Sequence, residues 1–426
     1  MRLELASFNI RDIDWGSATA LRDGLLTVDR DDIRRLILED SHFKDVQLHL
    51  VHPGESVRVI NGLDAVEPRW KVSGAGGVFP GFICSTRTVG DGRTHRLAGA
   101  AVLEVSAPVP GEQTHFREQI LDMSGPGAEF TPLSLTHNLV LEFTAEPSFF
   151  PPGSEHPKDV LGGGPEANDY SRALHLAGIK AAARLAQASI DQQPDEIEVF
   201  DLPKCDAGLP RTVCLYHAQR PFLYGEPAAL PFPTLIHPNE AFDGAIVGWR
   251  QSYRCTYGDQ NHQVLRELCR HHGRDLNFLG VIMFGDESPT RVEKERIASG
   301  AAKMAQLLHA DAAIMLGING SNLAVDTMLT IQECERLGIN TTLVYMDVGY
   351  GNDDPGFIHA VAEADAIVCI GSRDRPITLP PVERLIGGQR LITVEDDPGG
   401  ELTVRQRFLH TACSVQGLTT QTTRFY

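Results

Sequence analysis

Between Gly248 and Gly258 the chain reads Gly-Trp-Arg-Gln-Ser-Tyr-Arg-Cys-Thr-Tyr-Gly, which brings a thiol and two guanidinium groups into one short run. Cys255 adjoins Arg254 and lies near Arg250. Cations beside a thiol lower its pKa, so Cys255 is the expected catalytic nucleophile. The competing reading is a buried, inert cysteine. Arg250 and Arg254 suit a substrate carboxylate, which a planar guanidinium grips with two hydrogen bonds; solvated surface arginines are the alternative. Asp243, Asn319 and Asp347 fall at expected strand ends and are secondary substrate-binding candidates, against a plain role in loop capping.

Metal and hydrolase chemistry find less support. Cys269, His271 and His272 cluster in sequence, but adjacent histidines on a helix point about 100° apart and rarely share an ion. No HExxH or His/Cys ligand spacing occurs, so no metal is expected, with His217 and His237 as weak candidates. A Gly-x-Ser-x-Gly elbow is also missing, which disfavours a Ser-His-Asp hydrolase.

A loop of this kind needs elements to hold it. The first 146 residues alternate apolar and polar positions in short runs, such as Val46–Leu50 and Ala100–Val105, and predict a β-rich domain. Residues 147–165 are rich in proline and glycine and read as a connector. From 166 a helix is predicted to about Ile190, with a narrow stripe of Leu174, Gly178, Ala181, Leu185 and Ala188 that allows close packing on a sheet. Apolar runs at Thr212–Leu215, Gly244–Val247, Phe278–Phe284, Ala312–Leu316, Thr342–Tyr345 and Ala366–Ile370 then alternate with helical segments near 262–272, 289–308, 322–337 and 355–364. The expected fold class is therefore α/β, with the β-rich domain followed by a mostly parallel, doubly wound α/β domain over 166–426. In such sheets ligands sit beyond the strands' carboxyl ends, where the strand order reverses. The loop at 248–258 is placed there.

Composition narrows the function classes. The chain has 426 residues, 42% hydrophobic and 22% charged, which fits a packed protein of more than one domain. A formal charge of −18 makes nucleic acid an unlikely partner. No apolar run reaches membrane-spanning length, and Met1–Leu5 alternates rather than opening a signal peptide, so neither insertion nor secretion is expected. The eight cysteines are scattered without a Cys-x-x-Cys pair, which fits a reducing cytoplasm.

Several clusters, in order along the chain, resemble one family. They are Met1–Leu5, Leu38-Glu39-Asp40, Pro53–Arg58, Glu67-Pro68-Arg69, Phe79-Pro80-Gly81 and Ile120–Pro126, then Asp243–Val247, His272-Gly273 and Asn277-Phe278 before Gly280. On these residues the chain resembles the proprotein of component B of glycine, sarcosine and betaine reductases, the precursor of its α and β subunits. The D-proline reductase proprotein is a more distant relative. The resemblance implies a precursor that cuts itself just after the Asp-Gly-Ala-Ile-Val strand, where a cysteine becomes a pyruvoyl group that holds the substrate amine as an imine. A separate thiol- or selenol-bearing subunit then cleaves the substrate's C–N bond reductively.

This chain departs from the family's pattern, an Asn-Cys cut site with a second cysteine four residues on. Ungapped register puts Gln251 at the pyruvoyl-forming position and Cys255 at the second cysteine. An amide does not make the acyl shift; Ser252, one position away, is the fallback cleavage residue. The expectation is an uncleaved homologue with no assigned cofactor, working in a multi-subunit complex on a small amino-acid-like molecule. A stand-alone Cys- or metal-dependent enzyme and a non-catalytic structural subunit are the alternatives.

Overall fold

The structure, a computed structural model, describes residues 1–106, 119–146, 165–205, 208–218, 221–228, 230–248, 254–285, 290–317, 321–347, 359–391, 394 and 396–418. In the N-terminal part, β1 (Arg2–Asn9) lies between β8 (Gly92–Ala98) and β12 (Glu196–Asp201), with β7 (Arg69–Ser73) beyond β8. A larger sheet runs β10 (Gln119–Asp122), β6 (Val57–Val66), β9 (Ala100–Ser106), β11 (His137–Ala145) and β5 (Phe43–Val51), and β23 (Arg384–Ile386) adds to β6. A small sheet of β2 (Asp12–Gly16), β4 (Leu25–Asp29) and β3 (Ala20–Arg22) leads into α1 (Arg30–Leu38), whose first turn is capped by the Asp29 carboxylate accepting from the Asp32 amide at 3.0 Å.

These sheets share a core with α2 (Pro165–Ala186). Leu174, Ala181 and Leu185 are buried together with Phe8, Val102 and Leu141. Each fully buried side chain of that size stabilises by roughly 1.5–3 kcal/mol. Gly178 marks the closest approach, since a Cβ there would overlap the Glu104 carboxylate of β9. The predicted small-residue stripe is the face that makes this contact. Both α2 and β12 follow the Pro/Gly-rich connector in sequence, yet they pack on and pair with the N-terminal strands.

The second half contains a largely parallel sheet, in the order β16 (Thr234–Ile236), β18 (Asn277–Phe284), β13 (Arg211–His217), β19 (Ala312–Leu316), β20 (Asn340–Asp347) and β21 (Ala366–Ser372). Only β16, at the edge, runs antiparallel. Along β13, Val213 and Leu215 pack with α6 (Arg291–Leu307) and α7 (Ser321–Arg336), whereas Cys214 and Tyr216 pack with α5 (Gln263–His271). Burial on both faces explains the near-continuous apolar strands. The chain passes from β13 to β18 on one side and later to β19 on the other, so the order reverses between β13 and β19.

Two expectations need correction. The run Gly244–Val247 does not join the parallel sheet. Asp243 ends α3 (Pro238–Phe242), Gly244 turns at φ 80°, and only Ile246–Val247 (β17) is extended, pairing antiparallel with β14 (Phe222–Leu223) beside β15 (Glu226–Pro227). Of the helix expected near 355–364, residues 355–358 lie outside the described residues and 359–364 form turns. A last pair, β22 (Pro376–Leu379) with β24 (Leu402–Arg405), lies near the C-terminal end. No described helix is long and apolar enough to cross a membrane.

Candidate functional site

The arms of the 248–258 segment are held from the N-terminal sheets. Arg69, fully buried and paired with Glu67 (2.6 Å), donates to the Phe242 carbonyl before the segment and to the Gln260 carbonyl (2.9 Å) after it. Gln260 returns the contact, its amide oxygen accepting from the Glu67 N–H at 2.9 Å and its NH2 donating to the Glu67 carbonyl at 3.1 Å. Phe79 supports the corner between α3 and β17. Its N–H donates to the Asp243 carbonyl at 2.8 Å, and its buried ring occupies the space a Cβ on Gly244 would need. Thus Glu67-Pro68-Arg69 and Phe79 are brought to the segment they precede by more than 160 positions.

A second clamp closes the segment on itself. The Gly248 N–H donates to the Thr256 hydroxyl oxygen at 2.8 Å. Thr256, at the start of α4 (Thr256–Gln260), donates its N–H (2.8 Å) and its hydroxyl (2.5 Å) to the two oxygens of Asp64 on β6. Asp64 sits across from Glu104 in the sheet register, and both carboxylates are buried. His175 of α2 bridges them, with Nδ1 2.8 Å from Glu104 and 3.5 Å from Asp64. Its Nε2 lies 2.5 Å from where a Cβ on Gly248 would stand, which glycine at φ 63° avoids. Burial, and next the Glu104 charge, push Asp64 up to about 7. The cluster can therefore hold or release a proton near neutrality, directly under the segment.

Cys255 and Arg254 have different surroundings. Cys255 caps α4, its sulfur accepting from the Gly258 N–H at 3.3 Å, and it is 1% exposed within an apolar cluster around Leu103 and Val140. Burial, with Asp64 and Asp259 adding, pushes its thiol well above the ordinary value, opposite to the expected lowering by neighbouring arginines. Arg254, 2% exposed, lays its guanidinium 4.2 Å from the ring centroid of Tyr216, beside the point where the strand order reverses. The Tyr216 hydroxyl donates to Asp259 at 2.6 Å, Gln416 also donates to that oxygen at 2.7 Å, and the His262 ring meets Tyr216 edge-on at 5.3 Å. Around Arg254, both nitrogens of His217, Nε2 of His262 and one Asp259 oxygen are buried without a hydrogen-bond partner among the described residues. Desolvation, then the Arg254 charge, holds the His217 and His262 imidazoles down at about 3. Desolvation raises Asp259 to about 6.

The other expected residues divide. Asp243 is spent on the protein itself, accepting from Lys71, the Gly90 N–H (2.9 Å) and the Thr94 hydroxyl (2.6 Å). Both of its oxygens are thus engaged by the protein, and the side chain is fully buried. His237 caps α3, its Nδ1 accepting from the Asn239 N–H at 3.2 Å. Neither His217 nor His237 belongs to the two described groups that bring three ligand atoms within 4.8 Å of one another, Asp64/Glu104/His175 and Asp12/His52/His137. Arg250, Gln251, Ser252 and Asn319 lie outside the described residues; Asp347 ends β20, its side chain undescribed. Asp64, Glu104 and His175 were missed by the sequence reading. The available signal was a lone carboxylate inside each of two apolar strands.

The model of the glycine/sarcosine/betaine reductase component B subunits matches residues 1–407. The chain belongs to that family. It is 34% identical over 404 residues to the glycine reductase complex component B subunits alpha and beta of Acetoanaerobium sticklandii, covering 91% of this chain and 89% of that protein. It is 31% identical over 453 residues to the sarcosine reductase complex component B subunit alpha of Peptoclostridium acidaminophilum, covering the whole of both chains. The betaine reductase complex component B subunit alpha of the same organism is 31% identical, over 94% of this chain and 91% of its own. No solved structure matches.

The pyruvoyl group that the family resemblance implies does not fit the residues present. On the ungapped register expected from the sequence its position falls on Gln251, an amide that does not make the acyl shift. Of the described nucleophiles in the segment, Cys255 is a buried helix cap, and the Thr256 hydroxyl is engaged by Asp64 and Gly248.

Proposed function

We propose that this chain is a subunit of a reductase complex that cleaves a C–N or related C–heteroatom bond of a small amino-acid-like substrate, with a thiol- or selenol-bearing partner subunit, and that it works uncleaved and without a pyruvoyl group. The observation that carries the uncleaved state is Gln251 between two intact clamps: Gly248, Thr256 and Asp64 hold the segment, while its reactive position bears an amide. Membership of a family whose named relatives are components of reductase complexes supports the assembly. Arg254 is the proposed carboxylate anchor, because it is buried at the reversal of strand order among polar atoms that need partners. Arg250, Asn319 and Asp347 are proposed as further contacts. The burial of Cys255 speaks against a stand-alone thiol enzyme, the second reading.

The attacking thiolate comes from the partner in this scheme, and the departing amine needs a proton. His175, held by Glu104 beneath Gly248, is the proposed source. Intact-mass measurement tests the uncleaved state: one species near 46.6 kDa is expected. Two fragments of roughly 27 and 19 kDa, at ~110 Da per residue for a cut near 251, would refute it. Co-purification from the native host tests the partner; recovery of the chain alone, with full activity, would refute the assembly.

A further inference from the structure

A second polar group lies outside the segment, at the end of the larger N-terminal sheet. The register of β5 with β11 ends at Val51 opposite Asn138, so the next residue outward on each strand is a histidine, His52 and His137. Asp12, the first residue of β2, reaches the same place. Three ligand atoms face one another: His52 Nδ1 is 3.2 Å from Asp12 Oδ1, His137 Nδ1 is 3.8 Å from it, and the two Nδ1 atoms are 3.3 Å apart. Ligands at Zn–N and Zn–O distances of ~2.0–2.1 Å around a tetrahedral ion stand about 3.3–3.4 Å from one another, against about 2.9 Å for neighbouring positions in square or octahedral geometry. Two sides of the observed triangle, 3.2 and 3.3 Å, match the tetrahedral figure, and the third, 3.8 Å from His137 to Asp12, needs a closure of about 0.4 Å that an exposed aspartate side chain can make.

Its surroundings are those of a built site. The two imidazoles stand nearly perpendicular, at 80° with centroids 5.5 Å apart, so both lone pairs can converge without ring contact. The other nitrogen of His52 faces the Glu55 carboxylate at 4.0 Å. Such an outer partner orients a metal-binding histidine. Asp12 Oδ1 is fixed by the Ile13 N–H at 2.9 Å, and the His137 backbone by the Gly99 carbonyl at 2.8 Å. A proton on His52 Nδ1 can face both other ligand atoms, whereas a divalent cation takes all three as ligands. Asp12 is 60% exposed at its side chain, which leaves the fourth position to solvent.

We infer that Asp12, His52 and His137 form a binding site for a divalent cation of the zinc type, which staples β2, β5 and β11 together. The triad shares no residue with the clamps of the 248–258 segment, and the inference does not depend on the proposed reductase role. Calorimetric titration of the full chain with zinc(II) alone, and cobalt(II) titration followed by visible absorption, provide the test. One equivalent of each ion is expected, with an intense tetrahedral cobalt band and a rise in Tm. His52→Gln and His137→Gln should each weaken binding at least tenfold, and Glu55→Gln by about tenfold, whereas His175→Gln should leave it unchanged. Because none of the three side chains is fully buried and glutamine keeps a polar group at each histidine position, the metal-free variants should melt close to the metal-free parent, which separates lost binding from lost folding. No stoichiometric binding, binding unaltered in both histidine variants, or loss only in His175→Gln would overturn the inference.

Discussion

Replacing Asp64 by asparagine should reverse the order of stability between parent and variant as pH rises. In the folded chain Asp64 titrates at about 7 instead of 3.8, because burial and the facing Glu104 charge disfavour its ionised form. The unfolded chain releases this proton above about pH 4, whereas the folded chain keeps it to about pH 7. Stability is therefore lost as pH rises through that window, and the full cost is present above it. A shift of about three units corresponds to roughly 4 kcal/mol at 1.36 kcal/mol per unit. Asparagine removes this cost but gives up one of the two hydrogen bonds from Thr256, about 1–1.5 kcal/mol. Asp64→Asn should thus be about 1 kcal/mol less stable than the parent at pH 3.5, about equal to it near pH 4.5, and about 2–3 kcal/mol more stable at pH 8.5. Urea unfolding of both proteins at half-unit pH steps gives the difference directly, and titrating groups other than Glu104 and His175, which touch Asp64, cancel in it. A difference that stays flat across the range would refute the account of a proton held beneath Thr256.

Four other outcomes can be checked. In the folded chain, thiol alkylation should reach the half-exposed Cys84 and Cys205 first and leave Cys255 unmodified until unfolding, read by peptide mass after timed labelling. Arg69→Met should cost about 3–5 kcal/mol by leaving Glu67 buried with only Arg96, 3.9 Å away, to balance it, and should raise hydrogen exchange on both arms of the segment, at 242–248 and 256–261. Gly248→Ala should cost on the order of 1–3 kcal/mol, since its φ of 63° and the His175 ring both exclude a Cβ; an unchanged Tm would refute the packing beneath the loop. Acid should destabilise the chain, because His217 and His262 (about 3) and His237 and His410 (about 4) stay neutral when folded but gain protons below pH 6.5 when unfolded. Asp64 and Asp259 oppose this, so a net loss of roughly 2–3 kcal/mol per pH unit is expected near pH 5.

The parts of the fold that follow from repeating patterns were legible in the chain. Ala312–Leu316 and the segments around β13, β18 and β20 are apolar on both faces because helices cover both sides, and they read directly as buried parallel strands. Gly244–Val247 looked equally apolar, but a helix cap and a left-handed glycine shorten it to two extended residues. Apolarity records burial and is silent on partner. The candidate site was legible only as a segment. Its support comes from Asp64, Glu67, Arg69, Glu104 and His175, which long-range pairing brings together and no local period marks. The pKa of Cys255 was misjudged for the same reason: sequence neighbours suggested arginine fields, whereas burial and Asp64 dominate.

The clusters on which the family resemblance rests are mostly spent on the scaffold. Arg58 pairs with Asp122 at 2.7 Å and donates to the Pro398 carbonyl at 2.8 Å; Arg69 ties Phe242 to Gln260; Phe79 fills the corner at Gly244; Asp243 collects Lys71, Gly90 and Thr94. Each is buried, and removing any one leaves a polar group or a cavity that the fold cannot readily repair. Folding and chemistry therefore make separate demands on this chain: the described clamps fix where residues 249–253 begin and end, while the identity of those residues determines what the segment can do. A chain can keep the whole scaffold with an amide at 251. It follows that Ser252→Ala should leave Tm unchanged and the chain a single species, lighter only by the one oxygen removed, if the segment is uncleaved. Conversion of a two-fragment pattern into a single species by that substitution would instead assign Ser252 the cleavage role and remove the basis for an uncleaved subunit.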